Sequence, residues 1–174
     1  SLCYQIPALC LDGCTLVVSP LISLMQDQVT NLQQLGVQAD VLNSSLSTEE
    51  QQAVFHRLHS GQTKLLYVSP ERLVMDGFLD ALPHLALIAI DEAHCISEWG
   101  HDFRDSYRQL GLLKKLYPQT PVLALTATAT QRVLTDIQTL LGIPNATTYK
   151  GSFNRENLCY TIKQKTNPFK QILN

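Results

Sequence analysis

The stretch that decides the fold is Leu87-Ile88-Ala89-Ile90-Asp91-Glu92-Ala93-His94. Its first four residues are all apolar, which is typical of a strand buried on both faces of a parallel sheet. Two carboxylates, Asp91 and Glu92, follow directly where this strand ends. In open sheets of parallel strands, ligands bind beyond the carboxyl ends of the strands. We therefore expect a sheet whose functional site includes these two carboxylates.

Similar apolar runs recur along the chain and alternate with segments of helical pattern. This alternation indicates parallel strands joined by right-handed crossovers. The predicted fold class is therefore α/β, a doubly wound, mainly parallel sheet with helices on both faces. The predicted strands are Cys14–Ser19, Lys64–Ser69, Leu85–Asp91 and Pro121–Thr126, with a weaker one at Ala39–Leu42.

The helices between these strands have recognisable ends. Ser47 and Glu50 have the spacing of a capping box. In two places a strand is followed by Ser-Pro, where the serine can cap a helix and the proline can be its first residue. The predicted helices run from Pro20 to just before Gly36, from Ser47 to about Ser60, onward from Pro70, from Ser106 to Tyr117, and from Thr130 to Leu141.

The composition fits one globular domain of 174 residues, 45% hydrophobic and 16% charged, with a net charge of -2. The chain has no overall basic character, so any binding of nucleic acid must use a local patch. Five cysteines without a Cys-x-x-Cys pair predict free thiols and no zinc site within this segment. No apolar run is long enough for a membrane span and no secretion leader is visible, so we expect a protein of the cytoplasm, nucleoid or nucleus.

The pair Asp91-Glu92 has two interpretations. A site that hydrolyses phosphate esters needs one carboxylate to hold Mg²⁺, often through water, and a second to orient the attacking water. Adjacent carboxylates at a strand end can serve one such centre. Asp-Glu pairs are common, however, and the pair alone favours a solvated acidic turn that caps the next helix.

The run Cys95–Arg104 has neither helical nor strand periodicity, yet it contains two large aromatic residues. Trp99 and Phe103 could stack on nucleic-acid bases, with Arg104 near phosphate. Alternatively, both aromatic side chains belong to the core beneath the loop. The composition of the loop leaves the two interpretations equal.

Together, residues 91–104 resemble motif II and the adjoining aromatic-rich loop of the RecQ family of DNA helicases. Further likenesses follow in the family's order along most of the chain. They are Ser1–Ala8 (the tail of motif I), Ser19–Val29 (motif Ia), Tyr67–Leu73 (motif Ib), Ala124–Ala129 (motif III) and Ser152–Asn157 (the passage toward a second lobe). In the last of these, Asn154 and Glu156 stand where the family pattern has Asp and Pro.

The resemblance implies a RecA-like lobe of the P-loop NTPase fold over residues 1–150, with Ser1 as the last residue of the phosphate-binding loop. Residues 151–174 would be a linker to a second RecA-like lobe, with a strand near Leu158–Lys163. The implied activity is ATP- and Mg²⁺-dependent unwinding of duplex DNA from 3′ to 5′ in repair and recombination. The partners would be single-stranded and duplex DNA. Because the phosphate-loop lysine and the second lobe lie outside residues 1–174, we expect these residues by themselves to hydrolyse no ATP.

The resemblance also implies roles for individual residues. Asp91 and Ser1 would hold Mg²⁺, and Glu92 would polarise the hydrolytic water. His94 would link the ATP site to the hydroxyls of Thr126 and Thr128, although either threonine alone is more often a strand end or helix cap. The residues that would sense single-stranded DNA are Trp99, His101, Phe103 and Arg104.

The two Ser-Pro sites, Ser19-Pro20 and Ser69-Pro70, could bind DNA phosphates. A helix N-terminus offers free backbone N–H groups and needs no basic side chain to bind phosphate. Arg72 could add a contact. Without the resemblance, ordinary strand-to-helix turns and a solvated arginine would be the preferred interpretation.

Two other functions stay open. An RNA helicase of the same superfamily would share Asp-Glu-Ala-His, but it should lack the Trp-Gly-His-Asp-Phe-Arg loop. A non-catalytic remnant of a helicase motor that binds nucleic acid or protein is the second alternative. The coding sequence upstream of Ser1 would distinguish a remnant from part of an enzyme.

Overall fold

The computed structural model describes residues 1–75, 77–152, 154, 156–159, 161–162, 164–166 and 171. Five strands form one sheet in the order β2-β3-β1-β4-β5, and every neighbouring pair is parallel. The strands are β1 (Cys14–Val18), β2 (Ala39–Leu42), β3 (Leu65–Val68), β4 (Leu85–Ile90) and β5 (Val122–Ala124). All five lie within the predicted strands.

Helices cover both faces of the sheet. The described helices are α1 (Leu2–Cys10), α2 (Ile22–Gln34), α3 (Thr48–His59), α4 (Pro70–Leu73), α5 (Asp105–Arg108), α6 (Gly111–Leu116) and α7 (Gln131–Leu140). Successive strand residues point to opposite faces, so Val17 packs with α1 and α2 while Val18 packs with α3, α6 and α7. The predicted doubly wound fold is confirmed.

The helix after β1 begins later than predicted. Its first residue is Ile22 rather than Pro20, and Leu21 rather than Ser19 is the N-cap residue. Ser19 is buried, and its backbone N–H donates to the carbonyl of Val68 over 3.1 Å. The backbone of Ser19 thus continues the sheet, which keeps the residue from capping the helix.

The other Ser-Pro site behaves partly as predicted. Pro70 is the first residue of α4, but the hydroxyl of Ser69 makes no capping hydrogen bond. The predicted capping box is present in α3, where Ser47 and Glu50 bond each other's backbone N–H groups over 3.2 and 2.7 Å. Thr130 caps α7 as predicted.

The predicted helix Ser106–Tyr117 is two short helices, α5 and α6. Leu110 is buried at the junction. At Gly111, a Cβ atom would lie 2.3 Å from the carbonyl oxygen of Leu140. The chain therefore breaks where it packs closely against the end of α7, and only glycine permits this approach.

The predicted strand near Leu158–Lys163 is not seen in the described residues of that segment, Leu158, Cys159, Thr161 and Ile162. Tyr160 and Lys163 lie outside the described residues. Phe153 and Arg155 of the predicted passage to a second lobe also lie outside them. Among the helices that the structure describes, none is long and apolar enough to cross a membrane.

Candidate functional site

Asp91 is held firmly at the carboxyl end of β4. Its N–H donates to the carbonyl of Val18 over 2.8 Å, and its own carbonyl accepts from the hydroxyl of Tyr107 over 2.8 Å. One carboxylate oxygen accepts from the backbone N–H of Glu92 at 3.1 Å, and the other lies 3.5 Å from the Tyr4 hydroxyl. The carboxylate therefore has a defined direction at the sheet edge.

Glu92 has a left-handed backbone, with φ 48° and ψ 44°. It is the one non-glycine residue with positive φ in the part of the chain that the structure describes. Such a conformation costs about 1–3 kcal/mol and persists only where its surroundings impose it. Glu92 is the N-cap residue of the 3₁₀ turn Ala93–Ile96, but its side chain makes no capping hydrogen bond, so the carboxylate is not used as the cap of the alternative interpretation.

The Glu92 carboxylate is half-buried and lies 3.2 Å from Nδ1 of His94. Burial raises the pKa of Glu92, and the nearby charge of Asp91 raises it further. A carboxylate with a raised pKa is a better base than an ordinary one, since it binds a proton more tightly. The strained turn thus presents a base next to the fixed carboxylate of Asp91.

His94 connects this turn to the segment that follows β5. Its side chain is buried, and Nδ1 lies 2.9 Å from the hydroxyl oxygen of Thr126. Its ring stacks on His101 with a centroid separation of 4.0 Å. Burial lowers the pKa of His94, and the neighbouring His101 lowers it further. The ring is therefore favoured in its neutral form.

A second connection lies beside the first. Nδ1 of His101 is 3.1 Å from the hydroxyl of Thr128, and the hydroxyl of Thr126 accepts from the Thr128 N–H over 3.2 Å. The cap of α7 is Thr130. Thr126 and Thr128 therefore hold the histidines of the loop rather than capping a helix.

Trp99 is not a core residue, because 59% of its surface is exposed. The guanidinium carbon of Arg132 lies 3.4 Å from the centroid of its ring. Phe103 is half-buried, with the guanidinium of Arg108 5.2 Å from its ring centroid. The two aromatic residues of the loop thus have different environments.

A groove of about 480 Å³ borders Trp99. Its walls come from the loop at 99–101, from the segment 128–130 and from Val133. The groove is open to solvent and lies along the exposed side of the loop.

Arg104 joins the aromatic-rich loop to the segment after β1. Its side chain donates to the carbonyl of Pro20 over 3.3 Å and pairs with Asp102 over 3.1 Å. Pro20 lies just before α2, so the loop contacts a residue of motif Ia directly.

The amino ends of α2 and α4 follow the adjacent strands β1 and β3, which places them side by side at the carboxyl edge of the sheet. Ser19 and Ser69 are buried there, and the Ser19 hydroxyl has no partner within the described residues. Arg72 is directed elsewhere, because its guanidinium lies 5.3 Å from the ring centroid of Phe78 and donates to Sδ of Met75. The structure therefore does not bring Arg72 to the other predicted site residues.

Ser1 caps α1, with its hydroxyl accepting from the Cys3 N–H over 3.3 Å. Tyr4, in the first turn of α1, places its hydroxyl 3.5 Å from the Asp91 carboxylate. The amide oxygen of Gln28 accepts from the backbone nitrogen of Ser1 over 3.1 Å and from the Tyr4 hydroxyl over 2.7 Å. Ser1, Asp91 and the start of α1 thus share one polar cluster.

Sequence reasoning missed several residues of this site. Tyr107 and Gln28 support the carboxylate end, while Arg132 and Asp136 contact the loop. Gln28 lies in the Ser19–Val29 stretch but had no predicted role, the other three stand in none of the motifs, and only the packing of distant segments brings all four to the site. In the described part of the chain, no three His, Cys, Asp or Glu side chains converge on one metal position.

A family model described as DEAD/DEAH box helicase matches residues 1–137. The chain therefore belongs to the DEAD/DEAH box helicase family.

Individual relatives show to which group of helicases within this family the chain is similar. The chain is 55% identical to "ATP-dependent DNA helicase RecQ" of Haemophilus influenzae, over 99% of the chain and 28% of that protein. It is 48% identical to "ATP-dependent DNA helicase Q1" of Rattus norvegicus, over 95% of the chain and 28% of that protein. The predicted resemblance to the RecQ family is confirmed. The chain spans little more than a quarter of the length of these relatives.

Two solved structures show the same fold at low identity. The helicase domain of Pyrococcus furiosus Hef has a TM-score of 0.57 and 20% identity, over 76% of this chain and 28% of that one. The C-terminal domain of the DEAD-box protein Dbp5 also has a TM-score of 0.57, with 12% identity, over 81% of this chain and 77% of that one. The fold is thus the RecA-like fold of helicase domains.

Proposed function

We propose that residues 1–150 belong to the first RecA-like lobe of an ATP-dependent DNA helicase, with residues 151–174 leading into a second lobe. The observation that carries this proposal is the arrangement around Glu92. Its carboxylate lies beside Asp91 at the end of β4 and contacts His94, which in turn contacts Thr126. This arrangement can join phosphate hydrolysis to movement of the segment after β5.

The residues present fit Mg²⁺. Asp91 supplies hard carboxylate oxygens, the ligands that Mg²⁺ prefers. No arginine or lysine of the described residues forms an ion pair with Asp91, so its charge is available to a cation. Asp91 and the hydroxyl of Ser1 would hold Mg²⁺, which when bound with ATP neutralises charge on the phosphates.

Glu92 would accept a hydrogen bond from the attacking water and polarise it. Its raised pKa and its fixed position at a strained turn both support this role. His94 would keep Glu92 in place, and a movement of Glu92 would shift Thr126 and Thr128 through His94. The short contacts among these side chains support a direct link.

The DNA-sensing group would be Trp99, His101, Phe103 and Arg104. The exposure of Trp99 supports base stacking on its indole. A movement of the loop would shift Pro20 through Arg104, whose side chain donates to the Pro20 carbonyl. Phosphates would bind at the amino ends of α2 and α4, near Ser19 and Ser69, with Arg72 reaching them after a change of rotamer.

Unwinding from 3′ to 5′, in repair and recombination, is our proposal for the whole protein in the cytoplasm, nucleoid or nucleus. DNA is favoured over RNA because the matched relatives are named DNA helicases. The Trp99–Arg104 segment supports the same choice.

The test uses a full-length protein that contains this chain. ATP hydrolysis should depend on Mg²⁺ and rise on addition of single-stranded DNA. Partial duplexes with a 3′ tail should be unwound, while those with a 5′ tail should not. Hydrolysis stimulated only by RNA would favour the RNA helicase instead, and the absence of any hydrolysis would favour the non-catalytic remnant.

A further inference from the structure

The contact between Arg132 and Trp99 plays no part in the function proposed above. Arg132 is exposed in the first turn of α7, and the structure gives its side chain no ion pair within the described residues. Its guanidinium carbon lies 3.4 Å from the centroid of the indole. This is the separation of stacked planar groups, and the contact is a cation–π interaction.

The same face of α7 holds the backbone of the loop. Asp136 lies one helical turn after Arg132 and accepts a hydrogen bond from the hydroxyl of Ser97 over 2.6 Å. The oxygen of that hydroxyl accepts from the N–H of Trp99 over 3.1 Å. Arg132 therefore holds the side chain of Trp99 in position, while Asp136 holds its main chain through the hydroxyl of Ser97.

A planar group at 3.4 Å leaves no space for a base on the face that it covers. Arg132 and a nucleobase are thus mutually exclusive there. We propose that Arg132 is a positioning residue that occupies the stacking face of Trp99 until a base of single-stranded DNA displaces it. The inference rests on the proposed role of Trp99 in DNA binding.

Displacement of Arg132 from Trp99 would change how α7 is attached to the loop. α7 begins directly after the segment of Thr126 and Thr128, and Thr130 caps it. When Arg132 leaves the indole, α7 loses its contact with the side chain of Trp99, while the hydrogen bond between Asp136 and Ser97 remains. The occupancy of Trp99 by a base is thereby communicated to the helix that follows motif III.

Residues 1–174 contain a single tryptophan, so in a whole protein whose tryptophans outside this segment are replaced by phenylalanine, fluorescence excited selectively in tryptophan reports on Trp99 alone. The variant Arg132→Lys keeps the charge but loses the planar stack, and Arg132→Gln loses both. Arg108→Lys is the matched control, because Arg108 lies over the other loop aromatic while paired with Glu98. Without DNA, both Arg132 variants should make Trp99 more accessible to quenching by acrylamide, while the control should not.

Titration with a short oligothymidylate then measures the competition. Arg132→Lys should bind more tightly than the unmodified chain, by no more than about two- to fivefold, because lysine loses the planar stack on the indole although its ammonium can still approach the ring. Thermal melting followed by circular dichroism verifies that all variants are folded. Because Arg132 is exposed, no loss of folding is expected.

The outcomes separate the two proposals. If the unmodified chain shows no fluorescence response to oligothymidylate, DNA binding at Trp99 fails and the role of Arg132 fails with it. If the chain binds but Arg132→Lys binds equally or more weakly, the base does not compete with Arg132, and only the present inference is overturned. Unchanged acrylamide quenching in both Arg132 variants, or an equal increase of quenching in Arg108→Lys, would also overturn it.

Discussion

His94 Nδ1 lies 2.9 Å from the hydroxyl oxygen of Thr126, across 32 residues of sequence. This contact joins the turn after β4 to the end of β5. Both residues can exchange donor and acceptor roles, so the hydrogen bond survives a change of tautomer. Together with the hydrogen bond from the Ala93 N–H to the Leu125 carbonyl, over 2.8 Å, it connects the turn of Glu92 to the segment that carries Thr128.

Thr126→Val removes this hydrogen bond while nearly preserving the shape of the side chain. Nδ1 of His94 loses one of its two contacts but keeps the Glu92 carboxylate at 3.2 Å, so the cost should be about 0.5–1.5 kcal/mol of stability. In the whole protein, stimulation of ATP hydrolysis by single-stranded DNA should fall more than the basal rate. Thr135→Val is the control, because that hydroxyl lies exposed on α7 and bonds only Gln131 of the preceding turn. Equal behaviour of the two variants would contradict the proposed link.

Glu92→Gln keeps the shape of the side chain but removes the base. In the whole protein we expect kcat for ATP hydrolysis to fall at least about 100-fold, since general-base assistance contributes that much or more. Binding of nucleotide, measured by calorimetry, should change little. Glu49→Gln, on the exposed first turn of α3, is the matched control. Normal turnover with weakened nucleotide binding would show that Glu92 has another role.

Trp99→Ala tests whether the loop senses DNA. Because Trp99 is largely exposed, its truncation should lower the free energy of unfolding by about 1 kcal/mol or less. A buried aromatic residue would instead cost about 3–5 kcal/mol. DNA-stimulated hydrolysis should fall while basal hydrolysis is kept. Tyr149→Ala, which removes a 92% exposed aromatic side chain outside the site, should change neither rate. Full DNA stimulation in a stable Trp99→Ala protein would rule out the loop as sensor.

The lowered pKa of His94 makes stability depend on pH. His94 lies among His101, Asp102, Glu92 and Cys95, and its burial outweighs these charges. The folded chain therefore binds a proton at this site less readily than the unfolded chain, whose histidine titrates near 6.5. This contribution to stability is complete above about pH 6.5 and is lost as the pH falls through the folded-state pKa.

His94→Asn removes the titration and keeps a polar atom near the position of Nδ1. Denaturant unfolding at a series of pH values should show a weaker loss of stability below about pH 6.5 in the variant than in the unmodified chain. The raised pKa of Glu92 acts in the opposite sense at lower pH, and it is common to both proteins. Parallel pH profiles would show that His94 does not titrate differently on folding.

The strands and the position of Asp91 were predictable because a parallel sheet buries both faces of each strand and leaves continuous apolar runs. The start of α2 was not, since the sequence Ser-Pro is compatible both with a helix cap and with one more residue of sheet. Only the hydrogen bond from Ser19 to Val68 decides between them. Trp99 and Phe103 are likewise both large aromatic residues of one loop, and only tertiary packing makes Trp99 exposed and Phe103 half-buried.

The contacts of Arg132 and Asp136 with the loop depend on how α7 lies against it, 33 and 39 residues further along the chain. Local pattern carries no information about such pairs. The carboxylate end of the site was therefore accessible to sequence reasoning, while the residues that hold the loop were not.

The left-handed backbone of Glu92 lowers the stability of the fold at the position of the proposed catalytic base. Glycine adopts such a conformation without strain, so at position 92 it would release part of the about 1–3 kcal/mol that the turn stores. The same replacement would delete the proposed base. Laboratory selection of this chain for heat resistance alone would therefore favour glycine at position 92. It would enrich proteins that are stable but do not hydrolyse ATP. Only a screen that also scores hydrolysis would retain the glutamate.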